Sequence, residues 1–353
     1  MRTALGLLAM STLALSGIAV ANPDPPHKAP EPATPKTLAD RAAFLDPIQI
    51  ESLSLTPIVS TAPAGASADD NLLVLDEAMP KKLVSITEFD EGDVNNLTLV
   101  NSADKPVFVM AGEVIIGGKQ DRIIGRNTVI PAKTKLQVPV YCVEHGRWQG
   151  TTKEFASAKA LAHGRLRGRA SFDSQQDVWN EVAEKNVQRK TTSQTDTYRK
   201  VAAQQSDGTN GSWKTRVDAA IAKIPAQDRA RMIGYAVALD GKVATIDVFG
   251  SPALFHKLEP KLVSSYITEA VDVKARPGIK APSAKDVKDF IADADKAKSE
   301  ASYDTAEAAT TVNKGSRAYK AGVMMKRKAP AASSPSAPAP AATDAVYENY
   351  QLH

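Results

Sequence analysis

The sequence predicts an α+β fold in which a strand-rich antiparallel sheet or sandwich, built by the first half, carries helices contributed by the second. Three observations predict it. Between residues 48 and 143, apolar runs of strand length follow one another across turns too short for a crossover helix, so neighbours must pair antiparallel. From residue 174 the apolar period becomes that of a helix, opened by a Ser174 and Asp177 capping box. Asp240-Gly241 then stands between two further strand-like runs, a strong hairpin signal because both residue types tolerate positive φ.

The chain has 353 residues, 43% of them hydrophobic, enough for a sizeable core. Residues 1–21 read as a secretory signal peptide: Arg2 supplies the positive start, residues 5–15 the apolar stretch and Ala19-Val20-Ala21 the cleavage site. Export to a periplasmic or extracellular space is therefore expected. No later run reaches the roughly 18 to 20 apolar residues of a membrane span. The single cysteine, Cys142, excludes an internal disulfide and a multi-cysteine metal site. A net charge of +4 is too small to imply nucleic acid as a partner. Residues 22–36 form a Pro-rich spacer, 37–280 a single α+β domain, 281–328 an Ala-rich helical extension and 329–353 a disordered Pro/Ala tail.

Within the domain, residues 48–59 read as a strand and 71–79 as a short helix or second strand. Residues 82–89 alternate Leu83, Ser85 and Thr87 with Val84 and Ile86, as a half-buried strand does. Residues 96–100 form the next strand, followed by an Asx- and Pro-rich turn over 101–106. Strand 107–116 meets strand 119–124 across Gly117-Gly118, a two-residue hairpin connection. Pro131-Ala132-Lys133 turns into strand 136–143, where Leu136, Val138, Val140 and Cys142 share a face. Residues 151–171 show no usable period and read as a mobile loop, with Arg165, Arg167 and Arg169 solvated. The helix after Ser174 has an apolar stripe of Val178, Val182, Ala183 and Val187. A polar loop over 190–211 leads to a helix over 213–224, stopped by Pro225. Strands 232–239 and 242–249 flank Asp240-Gly241. Ser251-Pro252 opens a helix that runs past Pro260, and Ser283 with Asp286 opens a last one buried along Val287, Phe290, Ile291 and Ala294.

The candidate chemistry lies in residues 107–148. Gly117-Gly118-Lys119-Gln120-Asp121-Arg122 allows backbone amides to approach an anion, with Lys119 and Arg122 adding charge-assisted bonds. The same residues also describe a hairpin turn whose charges are solvated or paired with each other. The spacing matches neither a P-loop nor a dinucleotide fingerprint. Glu113 has the parity of Val107, Val109 and Ile115. It therefore faces the core and needs a cationic partner among Lys119, Arg122 and Arg147, unless a bulge at Gly112 turns it to a ligand. Glu144-His145-Gly146-Arg147 ends a strand, where His145 could act as a base oriented by Glu144 or Glu113 while Arg147 holds an anion. A turn histidine fits the same position. Trp148 is a core residue or a stacking platform, with the core reading preferred, and Cys142 reads as inert core. The five histidines, His27, His145, His163, His256 and His353, include no HxH or HExxH spacing, and neither a metal nor a cofactor is expected.

The combination AGEVIIGGKQDR, then VIPA, then VPVYCVEHGRW resembles the domain family named for its association with ADP-ribosylglycohydrolase and rhodanese-type phosphatase proteins. DVWNEV at 177–182 and GYAVALDGKVATIDVF at 234–249 extend the resemblance, which spans residues 46–275. It implies no catalytic residue and at most nucleotide or ADP-ribose chemistry.

The first functional expectation is thus an exported module that binds a small anionic, nucleotide-like ligand through Lys119, Gln120, Asp121, Arg122 and Arg147. A hydrolase using Glu113, Glu144 or His145 is the second, and a structural envelope or interaction protein the third. Oligomeric state stays open.

Overall fold

The computed structural model describes residues 41–62, 68–89, 93–150, 152–296, 298–305, 308–326 and 343–352. The predicted leader, the Pro-rich spacer and the 329–342 part of the tail lie outside the described residues. The architecture is α+β, as the alternation of apolar runs requires.

The first half builds a small barrel. Strands β1 (Ala42–Phe44), β2 (Ile48–Ile50) and β3 (Leu53–Ser60) belong to a separate large sheet, and β4 (Leu73–Val74) leads into a short helix, α1 (Leu75–Ala78). Then come β5 (Val84–Glu88), β6 (Asn96–Asn101), β7 (Val107–Val109), β8 (Glu113–Gly117), β9 (Arg122–Ile124), β10 (Thr128–Ile130), β11 (Thr134–Cys142) and β12 (Phe155–Leu161). Six of these pair antiparallel in the order β12-β8-β9-β11-β6-β5. The two edges meet through a bridge between Thr87 and Glu154 and a 3.0 Å bond from the Glu88 N–H to the Lys153 carbonyl, which closes the ring. Closure satisfies edge groups that would otherwise template aggregation. Alternate residues Val84, Ile86, Leu97, Leu99, Val138 and Val140 fill the interior, as the twofold side-chain period demands. A three-stranded sheet, β10-β7-β4, plugs one end with Val107, Val109 and Ile130.

The expected single strand over 107–116 is broken. Gly112 has φ +88, and a side chain there would collide with Cγ of Arg167. The backbone therefore turns out of β7 and re-enters as β8, so parity counted from Val107 does not carry to Glu113. The Gly117-Gly118 hairpin is also longer than expected: the strand resumes only at Arg122, and residues 118–121 form the loop.

The predicted mobile loop over 151–171 is instead β12 and a helix, α2 (Gly164–Phe172). Its signal was hidden because α2 buries a charge, Arg167, beside Leu166 and Ala170 rather than an apolar stripe. Helix α3 (Gln175–Arg189) starts at the predicted Ser174 capping box, but its inner face runs through Val178, Glu181, Val182 and Lys185, and Val187 is exposed. Two short helices, α4 (Arg199–Ala203) and α5 (Gly211–Ile221), and a single turn, α6 (Ala226–Arg229), lead to β13 (Met232–Leu239) and β14 (Lys242–Phe249). Asp240 at φ 48 and Gly241 at φ 77 make the hairpin between them, as predicted.

Helix α7 (Pro252–Ala270) continues through Pro260 and packs Phe255, Leu258, Leu262 and Ile267 on one face of the large sheet. Helix α8 (Ala284–Asp295) covers the other face with Val287, Phe290, Ile291 and Ala294 against Ile58, Ile246 and Val248.

The helical extension expected over 281–328 ends at Asp295. Residues beyond it form β15 (Lys298–Asp304), β16 (Ala308–Lys314) and β17 (Ala318–Lys326). Residues 343–352, expected to belong to a disordered tail, form a strand: β18 (Thr343–Leu352) lies between β14 and β17 in the order β1-β3-β13-β14-β18-β17-β16-β15. Thr310, Thr311, Val312, Tyr319 and Val323 favour a pleated surface, which the alanine content masked.

Candidate functional site

Asp121 is the hub of the polar cluster at the β8–β9 loop, and it is fully buried. Its Oδ1 accepts from the Gly117 N–H at 3.1 Å, Arg199 Nη2 at 2.6 Å and Arg147 Nη2 at 3.3 Å. Its Oδ2 accepts from Thr197 Oγ1 and Arg199 Nε, both at 2.9 Å. These donors take the place of the water that burial removes from the carboxylate.

Arg147 is a clamp. Its Nε reaches Glu144 Oε2 at 2.8 Å, Nη1 donates to the carbonyls of Gly118 and Gln149 at 2.9 and 3.1 Å, and Nη2 lies 2.7 Å from Glu144 Oε2 as well as near Asp121. With its N–H groups spent on the Glu144 and Asp121 carboxylates and on the carbonyls of Gly118 and Gln149, it has none left for an anion. Gln120 is likewise inward: its Nε2 donates to the Glu144 carbonyl at 2.7 Å and its Oε1 accepts from Arg122 Nη1 at 3.2 Å. Arg122 is 1% exposed, sits opposite Cys142 in the barrel wall, and leaves its buried Nε without a hydrogen-bond partner. Lys119 is half-buried, and its N–H donates to Glu88 Oε1 at 2.9 Å. Of the five residues expected to bind a ligand, Gln120, Asp121 and Arg122 are sequestered.

What faces solvent there comes from the loop read only as polar. A cleft of about 550 Å³ lies between the Gly117-Gly118 turn and Ser193, Thr195, Thr197, Arg199 and Lys200. Arg199 has 48% of its side chain exposed, and Asp121 holds its Nε and Nη2. Nη1 has no partner among the described residues. The contact is long-range, anchored by a bridge between Glu144 and Thr197, so no local pattern announces it.

The catalytic candidates do not converge. Glu113 Oε1 meets Lys261 Nζ of α7 at 2.6 Å, and that ammonium also meets Asp76 Oδ2 at 3.0 Å. Glu113 Oε2 is buried without a hydrogen-bond partner. Burial pushes this carboxyl up to about 7, against the pull of Lys261. Glu144 is committed to Arg147 and to the Asp121 N–H at 3.1 Å. His145 is exposed and stands edge-on to Trp179, ring centres 4.5 Å apart. Trp148, expected in the core, is 55% exposed, because the chain leaves the barrel after Cys142. Cys142 is buried, and burial raises its thiol pKa.

Two buried networks escaped sequence reading. Asp247 of β14 receives Arg167 Nη1 and Nη2 at 3.0 and 2.9 Å, Tyr266 Oη at 2.6 Å, Asn349 Nδ2 at 2.9 Å and the Tyr347 hydroxyl. Burial opposes its charge, yet Arg167 and the hydroxyls hold its pKa below the ordinary value. His163 bridges Tyr198 Oη and Glu181 Oε1, each at 2.9 Å, and burial pushes its imidazole down to about 3. An aspartate between Ile246 and Val248 in a strand was the one local sign of the first network.

No match was found among curated proteins or among solved structures. A family model does match, over residues 41–333, which extends the 46–275 marked by the sequence motifs through α8 and β15–β17. The chain belongs to the ARG and Rhodanese-Phosphatase-superfamily-associated Protein domain family.

Proposed function

We propose that this chain is an exported binding domain that holds a small oxyanion, a phosphate or carboxylate group, in the cleft between the glycine turn and residues 193–200. Export rests on the leader-like residues 1–21. The observation that carries the binding reading is Arg199: a buried aspartate aligns its guanidinium while leaving half the side chain, and Nη1, in the cleft. Such preorganisation lowers the cost of ordering a long side chain when a ligand arrives. Arg147 and Arg199 pair with Glu144 and Asp121, Lys200 adds one positive charge in excess to the cleft lining, and Ser193 and Thr195 add hydroxyls. This shifts the role first given to Gln120, Arg122 and Arg147 from contact to support.

A thermal-shift screen tests it, using the chain from residue 22 against phosphate, sugar phosphates, nucleotides and ADP-ribose. A ligand at 100 times its dissociation constant adds about 2.7 kcal/mol. The expected result is a shift with at least one oxyanion, lost in Arg199→Ala and weakened in Lys200→Ala. Absence of any shift, or equal shifts in both variants, would overturn the reading.

A further inference from the structure

We propose a second ligand site, for a small ring carrying a lactam or imide edge and an acidic group, in a cavity of about 360 Å³ among α2, α7 and strands β13, β14 and β18. Gln351 of β18 defines it. The residue is 4% exposed, and its Oε1 is buried without a hydrogen-bond partner. Its Nε2 has no bonded protein group among the described residues either. Leaving a buried amide oxygen unpaired is unfavourable, and native interiors rarely allow it.

The helix beside it is bare. Gly164 and Gly168 lie one turn apart on α2. A side chain at Gly168 would press on Gln351 Cγ at 3.0 Å, and one at Gly164 would stand 3.6 Å from Nε2. The walls opposite are apolar, from Val237, Leu239 and Leu352. Most charges at the rim are already spent: Arg165 on Glu181 and Glu184, Arg169 on Asp173, and Glu269 on the Arg165 N–H. Lys242, exposed at the start of β14, has no partner among the described residues.

These features select the ligand's chemistry. A simple anion offers only acceptors and would leave Oε1 unsatisfied. Whichever way the amide is turned, the carboxamide presents one donor and one acceptor side by side, and the complement is a cis-amide edge. Apolar walls favour a flat ring, and the volume suits a small molecule. Lys242 then gives an acidic substituent a charge-assisted bond.

Isothermal titration of the full chain with uracil, orotate and benzoate tests the assignment. Uracil has the imide alone, orotate the imide and an acid, benzoate the acid and a ring without an imide. The expected order is orotate about tenfold tighter than uracil, with no saturable binding of benzoate. Gln351→Leu weakens both imide ligands about tenfold or more. Lys242→Ala, at an exposed position that leaves the fold alone, brings orotate to the level of uracil and leaves uracil unchanged. The site is overturned if neither imide binds the wild type, if benzoate binds as tightly as orotate, or if Lys242→Ala binds orotate as the wild type does.

Discussion

Arg167 and Asp247 form a buried two-point ion pair, at 3.0 and 2.9 Å, that ties helix α2 to the middle of the large sheet. Both elements come from stretches with little in common in sequence, and the pair fixes their relative position. Gly112 packs directly on the Arg167 side chain, so the same arginine also sets where the barrel strand β8 begins.

Removing one partner of such a pair strands the other in a site without water. Arg167→Met is expected to destabilise the protein by about 3 to 5 kcal/mol, since Asp247 would keep its hydroxyl and amide donors but lose its countercharge. Adding Asp247→Asn should recover part of that loss. Urea denaturation of the single and double variants measures both, and a double variant no more stable than Arg167→Met would contradict this account.

Acid should destabilise the fold through His163. Its folded pKa is pushed down to about 3, well below the ordinary imidazole value of 6.5, because burial disfavours the imidazolium. Between those values the unfolded chain binds a proton that the native state does not. The burial of the neutral ring is therefore fully favourable above about 6.5 and its contribution is lost as pH falls toward 3, by up to about 1.4 kcal/mol per pH unit. His163→Phe should flatten the stability profile in that window, even if it lowers stability at pH 7 by removing the ring bonds to Tyr198 and Glu181.

Glu113 works in the opposite sense. Its folded pKa is raised to about 7 from 4.5, so between those values the native state holds more protons than the unfolded chain. Stability from this group is present at low pH and declines as pH rises through 7. Glu113→Gln should therefore gain stability relative to the wild type as pH is taken from 5 to 8. A difference between the two proteins that does not change with pH would show that Lys261 keeps the carboxylate ionised throughout.

Much of the fold was legible. Strands β5, β6 and β11, the Asp240-Gly241 hairpin and the capping boxes at Ser174 and Ser283 follow from local rules, since turn chemistry and period need no distant partner. What stayed hidden depends on contacts across the chain. Helix α2 has a charged inner face that makes sense only with Asp247, which lies 80 positions away. The candidate site was legible to the level of the glycine turn. The roles within it were not, because Asp121 is completed by Thr197 and Arg199, from a loop with no pattern of its own.

The last strand gives the sharpest test of what sequence composition concealed. Residues 343–352 follow a Pro/Ala run and would pass for a frayed end, yet β18 pairs with β14 on one side and β17 on the other. Tyr347 and Asn349 also donate to Asp247, and Val346, Tyr347 and Tyr350 are buried on both faces of the sheet. Removing residues 343–353 would leave two ladders unpaired and open the large sheet at its centre, exposing edges prone to association. Truncation there should abolish soluble, cooperatively unfolding protein. Deleting residues 329–340 instead, which retains the strand, should shift the melting temperature by only a few degrees, because Lys326 and Thr343 are cross-strand neighbours that residues 327, 328, 341 and 342 can join as a hairpin loop. Circular dichroism melts of the two deletions decide between a spacer followed by a structural strand and a dispensable tail: a truncated chain that melts like the full-length protein would remove β18 from the core.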